Sequence, residues 1–405
     1  MALGAAEVRA VLVSFTSVLK AAIRKQILPH PPAQLRSSTS AGPLVVAGMF
    51  RSMNGIGKAA QLCYESLIES GLSPIAVDTS GYLNQVQLPA SVPLGSLPPS
   101  MPGTLILFAN PPEVERCLMA LGLRRWHRWR IIGAWAWETS LAPPEWQRQA
   151  DFVSEIWAPS AFVATAFSAA YDKPVKTVPH AVGPPPAAPG GAHIPETPPP
   201  PQDAPLHILT IGDARSSLER KNPLAALAMF QQAFVGNSDV RLTLKCRNLS
   251  LYPTYATKLM AAAGGDPRVT VMDETLSEAA LATLLASADI LLAPHRSEGF
   301  GLHLAEAMAA GKCVVATGWS GNLEFMTEAN SALLPFRLIP VSDETGVYAP
   351  KPGAVWADPD IAAGAEILAS LAADPDRRKQ LGEAARQSIP RRLPASAYAR
   401  ALTDA

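Results

Sequence analysis

Two glutamates, Glu298 and Glu306, lie in the stretch HRSEGFGLHLAEAMAAGK and are the residues best placed to do chemistry. Glu298 follows an apolar run that predicts a strand, and Glu306 lies about two turns into a predicted helix. Between them are residues whose backbone we expect to face a ligand: Gly299, Phe300, Gly301 and Leu302. Carboxylates accept hydrogen bonds from hydroxyl groups, and amides at a helix start bind anions. This arrangement suits a polyol that carries phosphate.

A second stretch, DARSSLERKNP, gathers the cations Arg215, Arg220 and Lys221 where a strand gives way to a helix. Three cations beside a helix N-terminus repel one another unless an anion or solvent relieves them. An anion-binding loop and a solvated charged loop are both compatible with this composition. The end of a strand in an open α/β sheet favours the anion-binding interpretation.

A third loop, RSMNGIGKAA, has Gly55 and Gly57 just after an apolar run near residue 44. Glycines at this place let the backbone approach a ligand closely, and the helix that follows offers free N–H groups to an anion. A tight turn that needs glycine for its own conformation explains the same pattern. Both interpretations stay open.

Short apolar runs alternate with helical patterns along most of the chain, which predicts parallel sheets flanked by helices. A proline-rich stretch at 183–205 interrupts this alternation and is typical of an interdomain connector. Asn222 and Pro223 predict a helix start within the second part. We therefore expect an α/β protein with two Rossmann-like, doubly wound domains that face a central cleft.

The predicted segments are a leader and linker, a first Rossmann-like domain, the connector, a second Rossmann-like domain and a last helix that packs back on the first domain. Their expected bounds are 1–42, 43–182, 183–205, 206–385 and 386–405.

The overall composition excludes some functions. The chain has 405 residues with 34 basic and 34 acidic side chains, so no global field favours nucleic acid. Its four cysteines form no C-x-x-C pair, which is typical of reduced thiols in a cytoplasmic protein. No apolar run reaches the roughly 18 residues of a membrane span.

Two segments carry signals for peripheral membrane contact, which would place the protein at the inner face of the plasma membrane. Residues 5–28 place apolar side chains at helical spacing among basic ones, and residues 123–130 read LRRWHRWR. The first is compatible with a surface-bound amphipathic helix and with an ordinary packed helix. The second is compatible with a site for lipid phosphate and with a solvated turn.

The three loops and their order identify a family. The chain resembles retaining glycosyltransferases of the GT-B fold, glycosyltransferase family 4 in particular, over most of residues 44–390 and most strongly over 207–326. Glu298 and Glu306 match the E-x7-E signature of that family, and Arg215 and Lys221 match the spacing of its two phosphate-loop cations.

The resemblance implies that a nucleotide sugar, with UDP or GDP as the nucleotide, is the donor substrate and that no metal cofactor is required. Glu298 would contact donor-sugar hydroxyls and Glu306 the ribose, with Arg220 and the Gly55 and Gly57 backbone also at the donor. Arg215 and Lys221 would neutralise the departing diphosphate.

A tryptophan-rich stretch at the end of a predicted strand, GAWAWETS, resembles a subset of the family and departs from the histidine found there in many members. It places Trp137 and Glu138 where acceptor or sugar contacts are expected, although a structural role for Glu138 is equally compatible. His180, at the end of VKTVPH, is a further candidate contact, with a structural role as the main alternative.

The sequence therefore predicts a hexosyltransferase, with mannose as the first candidate sugar. The acceptor would be a hydroxyl of a polysaccharide or lipid-linked glycan, as in polysaccharide biosynthesis. The alternatives are another GT-B enzyme, such as a nucleotide-sugar epimerase, or a non-catalytic nucleotide-sugar-binding subunit.

Overall fold

The computed structural model describes residues 42–85, 88–98, 102–122, 128–183 and 204–403. The amphipathic segment 5–28, most of the proline-rich connector and most of the basic patch 123–130 lie outside the described residues.

The first domain is a parallel six-stranded sheet in the order β2-β1-β3-β4-β5-β6. Its central strands are buried on both faces, which is why they read as continuous apolar runs rather than as alternating ones. The strands are β1 Leu44–Gly48, β2 Ile75–Asp78, β3 Thr104–Phe108, β4 Arg130–Ala134, β5 Glu155–Ala158 and β6 Val175–Thr177. The helices between them are α1 Gly55–Glu69, α2 Pro111–Ala120, α3 Gln147–Ala150 and α4 Ala161–Ala170.

The second domain repeats this plan with the order β12-β11-β10-β7-β8-β9, again parallel throughout. Its strands are β7 Leu206–Asp213, β8 Val240–Arg247, β9 Val269–Met272, β10 Ile290–Ala293, β11 Cys313–Thr317 and β12 Ala332–Leu334. Its helices are α5 Leu218–Lys221, α6 Pro223–Ala233, α7 Pro253–Ala263, α8 Glu278–Ser287, α9 Leu302–Ala309, α10 Ile361–Ala373 and α11 Pro375–Arg392. Among the described helices, none is long and apolar enough to cross a membrane.

An antiparallel hairpin, β13 Phe336–Pro340 and β14 Val355–Pro359, interrupts the parallel plan of the second domain. We call residues 336–359 the hairpin segment. The loop between its strands lies against the first domain, where Val355 N donates to Ser140 Oγ at 2.9 Å. Local patterning does not predict this element, because its strands lack a clear period-2 pattern next to a buried face.

The last helix, α12 Ala397–Thr403, crosses back to the first domain. Tyr398 is 1% exposed and packs among apolar residues of the first sheet, with its ring 6.3 Å from that of Phe108. Ser66 Oγ and Arg130 Nη1 bond to backbone carbonyls of residues 395 and 402. Helix α11 runs without a break to Arg392, and the backbone that bonds to Ser66 and Arg130 lies beyond its end.

The carboxyl ends of the two sheets meet each other. Arg247, at the end of β8, donates to the Met53 carbonyl oxygen after β1 at 2.7 Å. Ser160, after β5, donates to the Gly299 carbonyl oxygen after β10 at 2.6 Å. This edge is where open α/β sheets bind ligands, so both domains contribute to one site.

Candidate functional site

Glu298 lies at the centre of this edge, in the loop after β10, and is 5% exposed. Its carboxylate forms ion pairs with Lys221 at 2.6 Å and with Arg220 at 3.2 Å. Its backbone amide donates to Ser320 Oγ at 2.8 Å, which fixes the loop. Burial raises the pKa of Glu298, but Lys221 and Arg220 together outweigh burial and hold that pKa well below its usual range. Glu298 therefore stays an anion.

Both cations come from the single turn α5, which Ser217 caps. Ser217 has a positive φ of 65°, and its Oγ accepts a bond from Arg220 N at 3.2 Å. Arg220 is 2% exposed and also donates to the carbonyl oxygens of Ser216 and Ser297, at 3.2 and 2.7 Å. The sharp turn thus points two cations inward at one carboxylate.

Arg215, by contrast, is exposed and forms no ion pair within the described part of the chain. Its backbone amide donates to Asp213 Oδ1 at 3.0 Å, and Asp213 in turn pairs with Arg247 at 2.7 Å. The structure therefore brings Lys221 and Arg220 onto Glu298, while Arg215 stays at the rim of the site.

The backbone after Glu298 forms a buried edge of the site. Across the residues that the structure describes, no acceptor lies within hydrogen-bonding distance of the amides of Gly299, Phe300 and Gly301. A Cβ added at Gly299 would lie 2.8 Å from the Trp137 carbonyl oxygen, so the loop needs glycine to sit against the first domain. Buried amides are rarely left unpaired, so this row of three, followed by Leu302 at the start of α9, is suited to binding an anion or a hydroxyl oxygen.

Glu306 is the fifth residue of α9, so it lies little more than one turn into the helix. The expectation of two turns is wrong, because α9 begins only at Leu302. Glu306 is half-buried, and burial raises its pKa, with Glu278 adding to the rise and Lys58 of the first domain opposing it. This carboxylate is therefore within electrostatic range of the first domain.

The glycine loop of the first domain is committed partly to its own structure. Asn54 Oδ1 accepts a bond from Gly57 N at 2.8 Å, which uses one of the amides expected to be free. A Cβ at Gly57 would lie 2.5 Å from the Met49 carbonyl oxygen, whereas one at Gly55 would meet nothing within 4 Å. Gly57 thus fits the tight-turn interpretation, and Gly55 leaves open space at the helix start.

Glu138 and Trp137 come from the first domain and close the site from the opposite side. Glu138 Oε2 accepts a bond from the Tyr348 hydroxyl at 2.8 Å, and the Trp137 ring lies 5.5 Å from that of Tyr348. Tyr348 also lies under Arg220, whose guanidinium carbon is 5.8 Å from the ring centroid. Sequence reasoning missed Tyr348, because a lone tyrosine in an unpredicted hairpin carries no spacing signal.

Three histidines lie around the site, and burial lowers the pKa of each. His180 Nδ1 lies 2.7 Å from the Tyr398 hydroxyl, and its ring packs edge-on against Phe300 at 4.7 Å. Burial lowers the pKa of His180 to about 4, and burial together with Lys221 lowers that of His303 to about 3. His295 is buried and bonds to Asn322 and backbone carbonyls, and burial lowers its pKa as well. His180 thus shapes the loop backbone at Phe300.

Within the described residues, no cluster of three or more His, Cys, Asp or Glu side chains could hold a metal ion.

The family model described as family 4 glycosyltransferase in conflict systems matches residues 163–402, more than half of the chain. A search of curated proteins finds no matching sequence.

Among solved structures, sucrose-phosphate synthase from Thermosynechococcus elongatus has a TM-score of 0.58 at 15% identity, with 89% of this chain and 97% of that one covered. HepE from Anabaena, in complex with UDP and glucose, has a TM-score of 0.58 at 14% identity, with 89% and 98% covered. TarM from S. aureus has a TM-score of 0.53 at 11% identity over 75% of this chain, which spans 55% of TarM. The expected GT-B fold is confirmed, because this chain, with its two six-stranded parallel sheets, matches these glycosyltransferase structures over most of their length.

Proposed function

The chain belongs to the family 4 glycosyltransferases of conflict systems, and from this premise we propose that it transfers a hexose from a UDP- or GDP-sugar to an acceptor hydroxyl with retention of configuration. The acceptor that we propose is a growing polysaccharide or a lipid-linked glycan. Mannose is the first candidate sugar.

The observation that carries the proposal is the environment of Glu298. One buried carboxylate is held ionised by Lys221 and Arg220, directly before three buried amides that have no partner in the described structure. An anion and bare amides in one loop, with two cations from the neighbouring α5, complement a sugar diphosphate, whose hydroxyls donate and whose phosphate oxygens accept. HepE, of the same fold, binds UDP and glucose, which supports this class of ligand.

We assign donor binding to the second domain. Glu306 binds ribose hydroxyls, while the backbone of Gly299, Phe300, Gly301 and Leu302 receives sugar or phosphate oxygens. Arg220, which is held by its bond to the Ser297 carbonyl oxygen, orients Glu298 through their ion pair. The first domain contributes the helix start at Gly55 and Gly57, which lies against the second domain through the bond from Arg247 to Met53.

In the transfer that we propose, the bond between the anomeric carbon and the diphosphate oxygen breaks, and a bond from the acceptor oxygen to the same carbon forms on the same face. The proton of the acceptor hydroxyl passes to the departing diphosphate oxygen. Lys221 and Arg215 stabilise the negative charge that develops on this group, and preorganised cations in a water-poor cleft are effective at this step.

The acceptor side belongs to the first domain. Trp137 and Glu138 lie opposite Glu298, and Glu138 is tied to Tyr348 rather than free. We propose that this segment contacts the acceptor or the sugar, and that His180 acts on the ligand through Phe300. The division into an acceptor domain at 43–182 and a donor domain at 206–385 is part of this proposal, as is a cytoplasmic site of action with peripheral membrane contact.

The donor class can be tested by thermal unfolding of the full chain with UDP, GDP, ADP and their sugar conjugates. A nucleotide at a hundred times its dissociation constant should stabilise the chain by about 2.7 kcal/mol. We expect UDP or GDP to raise the midpoint temperature of unfolding and ADP to leave it unchanged. No shift with any of the nucleotides would contradict the donor site.

Catalysis, as distinct from binding, can be tested with Lys221→Ala. Loss of one positioned charge at a developing anion lowers turnover by roughly a hundredfold or more, measured as nucleotide release at saturating donor. Lys258→Ala is the matched control, because Lys258 is half-exposed and pairs only with Glu344 within the described residues. Unchanged turnover in Lys221→Ala would remove Lys221 from catalysis. A wild type that binds donor without turnover would favour a binding subunit, and consumption of donor without acceptor would favour an epimerase.

A further inference from the structure

The hairpin segment, residues 336–359, reaches from the second domain onto the first-domain stretch 137–145. Three side-chain contacts make this crossing: Val355 N to Ser140 Oγ at 2.9 Å, Lys351 Nζ to Glu145 Oε2 at 3.0 Å and Tyr348 OH to Glu138 Oε2 at 2.8 Å. The Lys351 contact lies towards the surface, since the Glu145 side chain is 63% exposed. The Tyr348 contact differs, because Tyr348 is only 5% exposed.

The same segment is fastened to the turn that carries the cations. Asp343, 8% exposed, accepts bonds from Ser217 Oγ at 3.0 Å and from Tyr348 N at 2.9 Å. Ser217 is the residue whose Oγ also accepts the amide of Arg220. A displacement of the hairpin loop therefore acts directly on the cap of α5.

Tyr348 connects these two sets of contacts. Its hydroxyl bonds to Glu138 of the first domain, and its ring lies 5.8 Å from the guanidinium carbon of Arg220. Arg220 in turn pairs with Glu298 at 3.2 Å. A continuous series of contacts thus runs from a first-domain carboxylate to the donor-site carboxylate.

We propose that Tyr348 is a positioning residue that couples docking of the first-domain stretch 137–145 to the orientation of Arg220 and Glu298. The bond from a phenol to a carboxylate is charge-assisted and exists only while the two domains are in contact. When this bond is formed, it fixes the Tyr348 ring beneath Arg220, and the guanidinium of Arg220 is held in a single orientation. The proposal extends the glycosyltransferase function proposed above, and its kinetic consequence depends on that function.

The first test is Tyr348→Phe, which keeps the ring beneath Arg220 and removes only the hydroxyl. Losing a bond to a charged acceptor lowers turnover roughly tenfold or more, measured as UDP release from UDP-glucose, or GDP release from GDP-mannose if only GDP stabilises the chain. The dissociation constant of that nucleotide should stay within about twofold, because its binding groups remain. A fall in turnover without weaker binding is the result expected of positioning.

The second test measures the coupling itself. Backbone hydrogen exchange is followed in the free chain over residues 137–145 and 217–221 in Tyr348→Phe, Glu138→Ala and the double variant. We expect faster exchange in both stretches for each single variant. The double variant should be no faster than the faster single one, since all three lack the same bond.

Lys351→Ala is the matched control, because it removes another crossing contact of the same hairpin segment away from Arg220. It should leave exchange at 217–221 and turnover as in the wild type. The proposal is overturned if exchange at 217–221 does not change in Tyr348→Phe, if the two single effects add, or if Lys351→Ala loses as much turnover. Should the wild type turn over neither nucleotide sugar, the proposed function fails while the exchange measurements still decide the coupling.

Discussion

At the scale of the residue, the arginines of one short loop have different tasks. Arg220 is buried and bonds to two carbonyl oxygens and to Glu298, so the folded chain depends on it. Arg215 is exposed, only five positions away, and has no ion pair within the described residues. Burial and bonding thus separate a cation that builds the site from one available to a ligand.

This difference predicts opposite phenotypes. Arg220→Ala leaves a buried carboxylate with one cation instead of two, and should lower the free energy of unfolding by roughly 3 kcal/mol or more. Arg215→Ala should change it by no more than about 0.5 kcal/mol, yet weaken nucleotide binding about tenfold. Urea unfolding and calorimetric titration with UDP and GDP measure the two quantities.

Each variant serves as the control for the other. Equal losses of stability in the two variants would show that the bonds of Arg220 contribute no net free energy to folding. Unchanged nucleotide affinity in Arg215→Ala would remove Arg215 from the donor site and leave Lys221 as the cation at the diphosphate.

At the scale of the element, the loop before α1 shows how a turn places a helix against the opposite domain. Gly57 lies under the Met49 carbonyl oxygen, and the bond to Asn54 fixes the first turn of the helix. The carbonyl oxygen of Met53, in the same loop, accepts a hydrogen bond from Arg247 of the second domain. The turn therefore determines both the helix start and a contact between the domains.

Alanine at the two glycines of this loop should separate these effects. Gly57→Ala places Cβ 2.5 Å from a carbonyl oxygen, so the turn must shift, at a cost of roughly 1–3 kcal/mol. Gly55→Ala meets nothing within 4 Å and should leave stability unchanged or raise it by up to about 1 kcal/mol. Thermal and urea unfolding of both variants measures this difference, and a Gly57→Ala chain as stable as the Gly55→Ala chain would refute it.

At the scale of the whole molecule, His180 lies where three parts of the chain converge. It follows β6 of the first domain, bonds to Tyr398 of the last helix and packs against Phe300 of the donor loop. Burial lowers its pKa to about 4, so the native chain holds it neutral. Protonation of His180 therefore destabilises the native arrangement in which His180 contacts Tyr398 and Phe300.

The sign of the pH dependence follows from this depressed pKa. An unfolded histidine titrates near 6.5, so the neutral native form contributes its full stability above about pH 6.5. That contribution is lost as the pH falls from about 6.5 towards 4, at up to about 1.4 kcal/mol per pH unit. Urea unfolding at several pH values should show that the free energy of unfolding depends less steeply on pH for His180→Gln than for the wild type. Parallel slopes would mean that His180 titrates alike in both states.

Much of this architecture follows from the sequence, because local patterns determine local structure. Apolar runs separated by helical patterns predicted parallel strands, and Asn222 with Pro223 predicted the start of α6, although Asn222 adopts a left-handed φ of 58° instead of capping with its side chain. The order of Glu298, the bare amides and Glu306 predicted a site after β10, and the family comparison confirmed the class of protein. The position of Glu306 was wrong by nearly a turn, since a helix boundary depends on loop geometry that periodicity does not contain.

Only the tertiary structure decided which charges meet. Lys221 and Glu298 are 77 positions apart, and Tyr348 and Glu138 are 210 apart. No spacing rule relates such residues. The first pair meets because β7 and β10 are neighbours in one sheet, and the second because a hairpin that local patterning did not predict reaches the first domain. The sequence by itself determined the strands, the loops and the kinds of side chain at their ends. The order of the strands in the second sheet, with β10 beside β7, decided that Glu298 lies against two cations. The approach of the two domains decided that Tyr348 bonds to Glu138 of the first domain.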